Sequence, residues 1–326
     1  MKQGLILISG LLILMGCSVG GQWSDENIDP KVKAEINELN NHIIDGLATK
    51  DPEKIRSVAS EKLLEQSTDL EAMVTSGNWK IDPTKFRIKN QFYLKKSADG
   101  TDSRVLTGLT ADHDYTIQFK AITKEMFISV GYLEDDLEML ALTMIYSKYG
   151  DNWKLNILQI GLIEIENKDA IDWYKQAQEN FNKGNLVDAA LNFTLASQCL
   201  KPGNQLWQYR LESEINDFGK KMNQEVNKTY SFPIAVETIK SKPQIFRVFP
   251  QGMSEGFHPS VFYVTTLNIN DTTALSKECT EIHKNIGHVF KGLDADKKYI
   301  FYRAFERIPV NNEKVNNYGF LRSGEK

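Results

Sequence analysis

Cysteine is scarce in this chain, with three residues among 326, and this limits the chemistry that thiols can support. Cys17 stands near the start, which leaves Cys199 and Cys279 for the rest of the protein. Two cysteines cannot form a zinc site without other ligands. Both fall on apolar helical stripes, where a free thiol behaves as a small hydrophobe. We therefore expect buried thiols, and a Cys199–Cys279 disulfide is the alternative in an exported protein.

Concentrated positive charge is also lacking. The chain carries 39 Lys and Arg against 43 Asp and Glu, which gives a net charge of −4, and no basic block stands out. A nucleic-acid partner is therefore not expected. The mild acidity also argues against strong charge-driven docking on anionic lipids.

Catalytic and metal-binding motifs are missing as well. The sequence has no Gly-x-Ser-x-Gly, no His-Glu-x-x-His and no phosphate loop. His283 and His288 lie about 140° apart around one predicted helix, so they cannot share a metal. Asp112-His113-Asp114 could form an acid/base pair or a metal clip, and Glu134-Asp135-Asp136-Leu137-Glu138 could chelate calcium, but we favour solvated turns for both. We predict no catalytic residue, no metal site and no cofactor.

No apolar run reaches the roughly 20 residues that span a bilayer. The longest one follows the charged tip Met1-Lys2-Gln3 and ends in Leu14-Met15-Gly16-Cys17, a pattern typical of a secretory signal peptide. The last four residues resemble the lipobox of bacterial lipoproteins. The resemblance implies cleavage before Cys17 and a diacylglycerol on its sulfur, and two acyl chains suffice for stable anchoring. We therefore expect a protein of the bacterial cell envelope, lipid-anchored to a membrane.

Five segments are predicted along the chain: a signal peptide at 1–16, a lipidated tether at 17–30, and folded regions at 31–166, 167–228 and 229–326. The polar stretch after Cys17 lacks periodicity, and its thirteen residues, Ser18 to Pro30, would reach roughly 40 Å when stretched. Trp23 could insert into the membrane interface, but we favour a tether residue without a role. Two or three domains fit the length of the remaining chain.

Residues 31–166 show helical periodicity followed by alternating strands from Phe86 to Ile165, which predicts an α+β domain with helices on one face of an antiparallel meander. The closing hairpin Leu142–Leu155 and the opening link Ala48–Ile55 resemble those of the cone-shaped nuclear transport factor two-like superfamily. The resemblance implies a cone that holds a small hydrophobic ligand. It also supplies the alternative function, an isomerase or cyclase with an Asp or His in the cone.

Residues 167–228 read as helices. One set of positions is similar to the spacing of a tetratricopeptide repeat: Trp173, Ala177, Gly184, Leu186, Ala189, Phe193 and Ala196. Trp207 stands where a second repeat would begin, but the glycine turn and the alanine pair of a repeat do not follow it. A single capping helix is therefore predicted over Leu206–Val226. We expect Trp173, Tyr174, Trp207 and Tyr209 to bind a partner, although core packing is the favoured role of Trp173.

Residues 229–326 are predicted to form a small α+β domain with a helix over Asp271–Phe290. Its strands are rich in aromatics. One side of the sheet should fill the core, and the other side is expected to be exposed. Core packing is the favoured explanation of the aromatics, and a protein- or glycan-binding face is the alternative. Taken together, the sequence predicts a non-enzymatic envelope lipoprotein that binds or scaffolds, with an envelope protein as partner. A cone-fold enzyme acting on a small hydrophobic molecule is the alternative.

Overall fold

A computed structural model describes residues 20–66, 70–77, 79–135, 137–311 and 313–324. These residues form eight α-helices and three open sheets, so the protein has an α+β fold, as the sequence predicts. The predicted signal peptide and Cys17 lie outside the described residues. Within the described ranges, no helix combines the length and the apolar character needed to cross a membrane.

The N-terminal part begins with one strand, continues through four helices and then becomes a series of long strands. The helices are α1 (Pro30–Ala48), α2 (Pro52–Val58), α3 (Glu61–Gln66) and α4 (Leu70–Ser76). The strands are β1 (Gly21–Ser24), β2 (Phe86–Lys95), β3 (Thr101–Leu106), β4 (Tyr115–Ala121), β5 (Glu125–Glu134), β6 (Glu138–Tyr149) and β7 (Asn152–Ile165).

The main sheet has the strand order β1-β2-β5-β6-β7, and all of its pairs are antiparallel. The predicted meander is interrupted, because β3 and β4 leave the main sheet. They form a second, three-stranded sheet with β8 (Trp207–Tyr209). The apolar face of α1 covers one side of the main sheet, as expected from its helical periodicity. The second sheet and the following helices cover the other side.

The predicted tether is folded from Gly21 onward, which corrects the expectation that 17–30 is a free leader. β1 pairs with β2 along its whole length, with Gly21 opposite Lys95. The Trp23 ring stacks on Tyr93 with the centroids 5.4 Å apart, and the Asp25 carboxylate accepts a hydrogen bond from the Gln91 N–H at 2.8 Å. A strand of four residues shows too little periodicity to be recognised in the sequence. It is stabilised by its hydrogen bonds to β2, which would otherwise be an open edge of the sheet.

The central helical region contains α5 (Ala170–Asn182), α6 (Leu186–Cys199) and α7 (Glu212–Thr229). Helices α5 and α6 form a hairpin that turns at Gly184, where φ is +76°. The predicted capping helix over Leu206–Val226 is wrong in its first part. Residues 207–209 are extended and pair with β4, because Trp207 stacks on Tyr115 at 3.7 Å and fills the core there.

The C-terminal part has a mixed five-stranded sheet of order β13-β12-β11-β10-β9 and one long helix. Its elements are β9 (Ile234–Ala235), β10 (Gln244–Met253), β11 (Gly256–Val264), α8 (Thr272–Val289), β12 (Tyr299–Phe305) and β13 (Asn317–Ser323). Helix α8 connects the parallel pair β11 and β12 and covers one face of the sheet. The sequence predicts a strand over Ile234–Ile239, which is four residues longer than β9, and it does not predict β13.

Candidate functional site

The face of the C-terminal sheet opposite α8 carries a group of aromatic rings and two arginines. In the register of the strands, Arg247 lies opposite Phe262, and Phe262 lies opposite Arg303. The next row pairs Phe249 with Ser260, which in turn lies beside Phe301. Because side chains alternate across a strand, the neighbours Val261 and Tyr302 point to the other side and are buried under α8. We call this surface the aromatic–arginine face.

The rings of the aromatic–arginine face contact one another, two pairs edge to face and one pair tilted. Phe249 and Phe262 have centroids 4.9 Å apart at an interplanar angle of 89°, and Phe305 lies 5.1 Å from Phe262. Phe246 sits at a bulge in β10, which brings its ring to 5.5 Å from Phe305 on the same face. The prediction of a sheet with one buried and one outward aromatic side is confirmed in this respect.

Both arginines are exposed and lie over aromatic rings. The Arg247 guanidinium carbon is 4.6 Å from the Phe249 centroid, and that of Arg303 is 5.5 Å from the Phe262 centroid. Neither forms an ion pair with any described residue. The outward positions of β10 to β13 include no Asp or Glu, so this face is apolar and positive. Phe246, Phe249, Phe262 and Phe301 are half-buried, and Leu321 beside them is 44% exposed.

A second concave region is a polar cleft between the α5–α6 hairpin and the β10–β11 hairpin, with a volume of about 430 Å³. At its wall, Asp188 Oδ2 lies 3.1 Å from Lys297 Nζ. Burial raises the pKa of Asp188, and the Lys297 ammonium acts in the opposite direction. Glu166 accepts a hydrogen bond from the Phe257 N–H at 2.5 Å. Positive and negative side chains alternate along this cleft, so its charge selects no single class of ligand.

His113 is tied to helix α5 and is not a free residue of a solvated turn. Its Nδ1 lies 2.6 Å from Asp169 Oδ2, and its Nε2 lies 3.8 Å from Asp172 Oδ1. Within the part of the chain that the structure describes, these three side chains are the group whose ligand atoms come close enough to hold a metal. Asp169 also caps α5 by accepting the N–H groups of Ile171 and Asp172. Capping and the helix dipole account for both acids without a metal.

The four residues predicted to bind a partner are buried. Trp173 is 4% exposed, Tyr174 and Tyr209 are each 2% exposed, and Trp207 is 0% exposed. All four pack in the core on the second side of the main sheet. This is the core role favoured for Trp173, and it corrects the expectation of outward faces at the other three. A side chain without exposed surface cannot contact a partner of the folded protein.

Cys199 and Cys279 are buried free thiols, so the expectation of core thiols is confirmed and the alternative disulfide is not formed. They belong to different cores, Cys199 beside the main sheet and Cys279 under the C-terminal sheet. Burial raises the pKa of both thiols, that of Cys279 to about 12. Neither is a nucleophile at neutral pH.

The interior between α1 and the main sheet was the place where the alternative enzyme function required an Asp or a His. The described polar side chains buried there are neutral. Asn40 donates to Ser129 at 2.9 Å and accepts from the Tyr146 hydroxyl at 2.7 Å. The rest of this interior is filled by apolar side chains, among them Ile36, Ile43 and Phe127.

Comparisons with protein-family models, with curated proteins and with solved structures give no match to this chain. Sequence reasoning identified the aromatic side of the C-terminal sheet but missed its arginines. Their spacing, with Arg247 two positions before Phe249 and Arg303 two positions before Phe305, was the available signal.

Proposed function

We propose that this protein is a lipid-anchored binding module of a bacterial cell envelope, and that its aromatic–arginine face docks an acidic partner protein. The observation that carries the proposal is the open face itself, where half-buried phenylalanines surround two unpaired guanidinium groups. Aromatic side chains and arginine are the residues most enriched at the centres of protein interfaces.

The charge of the face selects the partner. Arg247 and Arg303 carry the only charges at the outward positions of β10 to β13 in the described chain, and both are positive. A carboxylate from a partner would form a charge-assisted pair with a guanidinium that already lies over a ring, so less side-chain freedom is lost on binding. An acidic protein surface with an apolar centre is therefore the matching partner.

The anchor rests on the residues around Cys17. A short apolar run ends in a lipobox-like quartet, and a diacylglyceryl group there would hold the chain at a membrane. Labelling of cells with a fatty-acid probe tests this step. We expect label and membrane retention in the natural chain and loss of both in Cys17→Ala, and unchanged label in that variant would contradict the anchor.

Binding through the aromatic–arginine face is tested by charge reversal. We expect the double variant Arg247→Glu/Arg303→Glu to reduce the amount of partner protein recovered by cross-linking in intact cells at least tenfold. The reason is that both attractive contacts become repulsive. Arg104→Glu is the matched control, since Arg104 is an exposed arginine on strand β3 of another sheet. Equal recovery in all three proteins, with unchanged melting temperatures, would overturn this proposal.

A further inference from the structure

The folding of the leader places the lipid anchor close to a particular end of the main sheet. Only Ser18, Val19 and Gly20 separate Cys17 from β1, and the four residue steps from Cys17 to Gly21 span at most roughly 14 Å when fully stretched. The chain cannot lengthen this link from β1, because Gly21–Ser24 are hydrogen-bonded to β2 as far as Lys95. With Cys17 acylated, which is part of the proposed function, the start of β1 must lie within that distance of the lipid.

This end of the sheet is formed by chain segments that meet where β1 begins. β2 ends there and β5 begins there, with Lys95 opposite both Gly21 and Glu125. The Lys96 N–H donates to the Lys124 carbonyl at 2.7 Å, and β6 and β7 join in the adjacent turn at 150–151. We call residues 95–100, 120–125 and 148–154 the anchored end.

The anchored end is basic although the chain as a whole is acidic. Its three segments contain six lysines and three acids, which gives a net charge of +3, whereas the whole chain carries −4. Lys95, Lys120 and Lys124 are exposed. One of the three acids, Glu125, is already engaged, because Lys148 Nζ lies 3.8 Å from its carboxylate and the Tyr93 hydroxyl donates to it at 2.5 Å.

An amphipathic aromatic side chain lies at the same end. Tyr149, at the end of β6, is 39% exposed, and its hydroxyl donates to Asn156 at 3.1 Å. Tyrosine is enriched where protein meets lipid headgroups, since its ring is apolar and its hydroxyl remains hydrated. Trp23, two residues into β1, is 36% exposed.

We infer that the anchored end rests on the anionic headgroups of the membrane that holds Cys17, with its lysines at the lipid phosphates. The short link holds the start of β1, with Lys95 opposite it, within roughly 14 Å of the surface. This distance is comparable to the Debye length of about 10 Å, over which an anionic leaflet attracts lysines. Glu61, Lys62 and Glu65 of α3 line the same pocket as Tyr149 and Lys154. With these residues included, seven lysines stand against five acids, so this end still carries +2 while the whole chain carries −4. The acyl chains supply attachment, and the lysines supply orientation.

Fluorescence quenching measures this orientation in the full-length acylated chain. Lys124→Cys and Lys89→Cys each offer one reactive thiol for a fluorophore, because Cys199 and Cys279 are buried and Cys17 is acylated. Lys89 is the matched control: it is an exposed lysine on β2, about 20 Å along the strand from Lys95. The vesicles contain phosphatidylcholine with 30% phosphatidylglycerol and a headgroup nitroxide as quencher.

We expect at least twofold stronger quenching at position 124 than at position 89, and we expect this difference to shrink in vesicles of phosphatidylcholine alone. Equal quenching at the two positions, or a ratio that does not depend on phosphatidylglycerol, would overturn the orientation. Mass spectrometry of the N-terminal peptide separates the two proposals. An unmodified Cys17 would refute the anchor itself, whereas an acylated Cys17 with equal quenching would refute the orientation alone.

Discussion

Asp188 of α6 and Lys297 of the turn before β12 form an ion pair with an Oδ2–Nζ distance of 3.1 Å, although 109 residues separate them. Asp188 has 7% of its side-chain surface exposed, and Lys297 has 21%. The pair joins the helical hairpin to the C-terminal sheet, next to Val187 and Leu191, which pack into the C-terminal core. It is therefore part of the contact that fixes these two regions to each other.

Loss of Lys297 should destabilise the protein strongly. Lys297→Met leaves the Asp188 carboxylate buried without its cation, and breaking a buried pair on one side costs about 3 kcal/mol or more of unfolding free energy. Urea unfolding followed by circular dichroism measures the change. The double variant Asp188→Leu/Lys297→Met should recover most of the loss, because no buried charge remains. A single variant as stable as the natural protein would contradict the account.

The loss of unfolding free energy caused by Lys297→Met should become smaller as the pH is lowered. Burial raises the pKa of Asp188, and removal of the Lys297 ammonium raises it further. Between the unfolded and the raised folded pKa, the folded state binds more protons than the unfolded state, so stability falls as pH rises through this window. We therefore expect the difference in unfolding free energy between the natural chain and Lys297→Met to be largest at pH 7 and smaller toward pH 4. A pH-independent difference would refute this reasoning.

Trp23 should contribute to stability, because its ring stacks on Tyr93 and holds β1 to the sheet. We expect Trp23→Ala to reduce the unfolding free energy by about 1 kcal/mol, and Trp23→Phe to retain most of the stacking. Thermal unfolding of the two variants measures this. If Trp23→Ala has the same melting temperature as the natural chain, β1 is dispensable to the sheet, and the limit of roughly 14 Å between Cys17 and the sheet is lost.

The helical region 169–228 should not fold alone. Trp173 and Leu195 belong to the core against the main sheet, whereas Val187 and Leu191 belong to the C-terminal core. The helix pair packs one face on the main sheet and the other on the C-terminal core, so it exposes two apolar surfaces when it is isolated. We expect a broad, non-cooperative melt of the isolated segment. A sharp transition at ordinary temperatures would show that the segment is autonomous.

The two buried thiols should resist labelling in the folded protein. Burial limits access to Cys199 and Cys279 and raises the pKa of each thiol, so little thiolate forms even at pH 9. We expect both to react with a thiol reagent in urea and neither to react within minutes in buffer. Rapid labelling of one thiol in buffer would reveal local opening around it.

Much of the local structure could be predicted from the sequence because its signals are local. Asp51 before Pro52 correctly predicts the start of α2, since the aspartate accepts the N–H groups of Glu53 and Lys54. Alternating apolar residues mark a half-buried strand, so the boundaries predicted for β2 to β7 fall within three residues of those observed. The predicted strands are Phe86–Leu94, Arg104–Leu109, Tyr115–Ile122, Met126–Leu133, Met139–Tyr149 and Trp153–Ile165. The α+β class follows from the order of these elements.

Only part of the candidate site could be predicted from the sequence. Consecutive aromatics on β10 to β12 predict two aromatic faces, and the structure shows which one α8 buries. The predicted binding residues were mistaken because a helix with the spacing of a repeat does not reveal what packs on it. Trp207 looked like the first residue of a second repeat, yet it lies in a three-residue strand whose pairing partner is about 90 residues away.

The amino-acid sequence alone determined most of the helices and strands and the caps of the helices, because these depend on neighbouring residues. Only the tertiary structure decided that β1 joins the sheet, that β3 and β4 leave it, and that the lysines around 95, 124 and 148 gather at one end. Long-range pairing depends on which sheet edges and apolar faces remain open after the local elements form. That competition is settled among residues far apart in the chain, so no local pattern records its outcome.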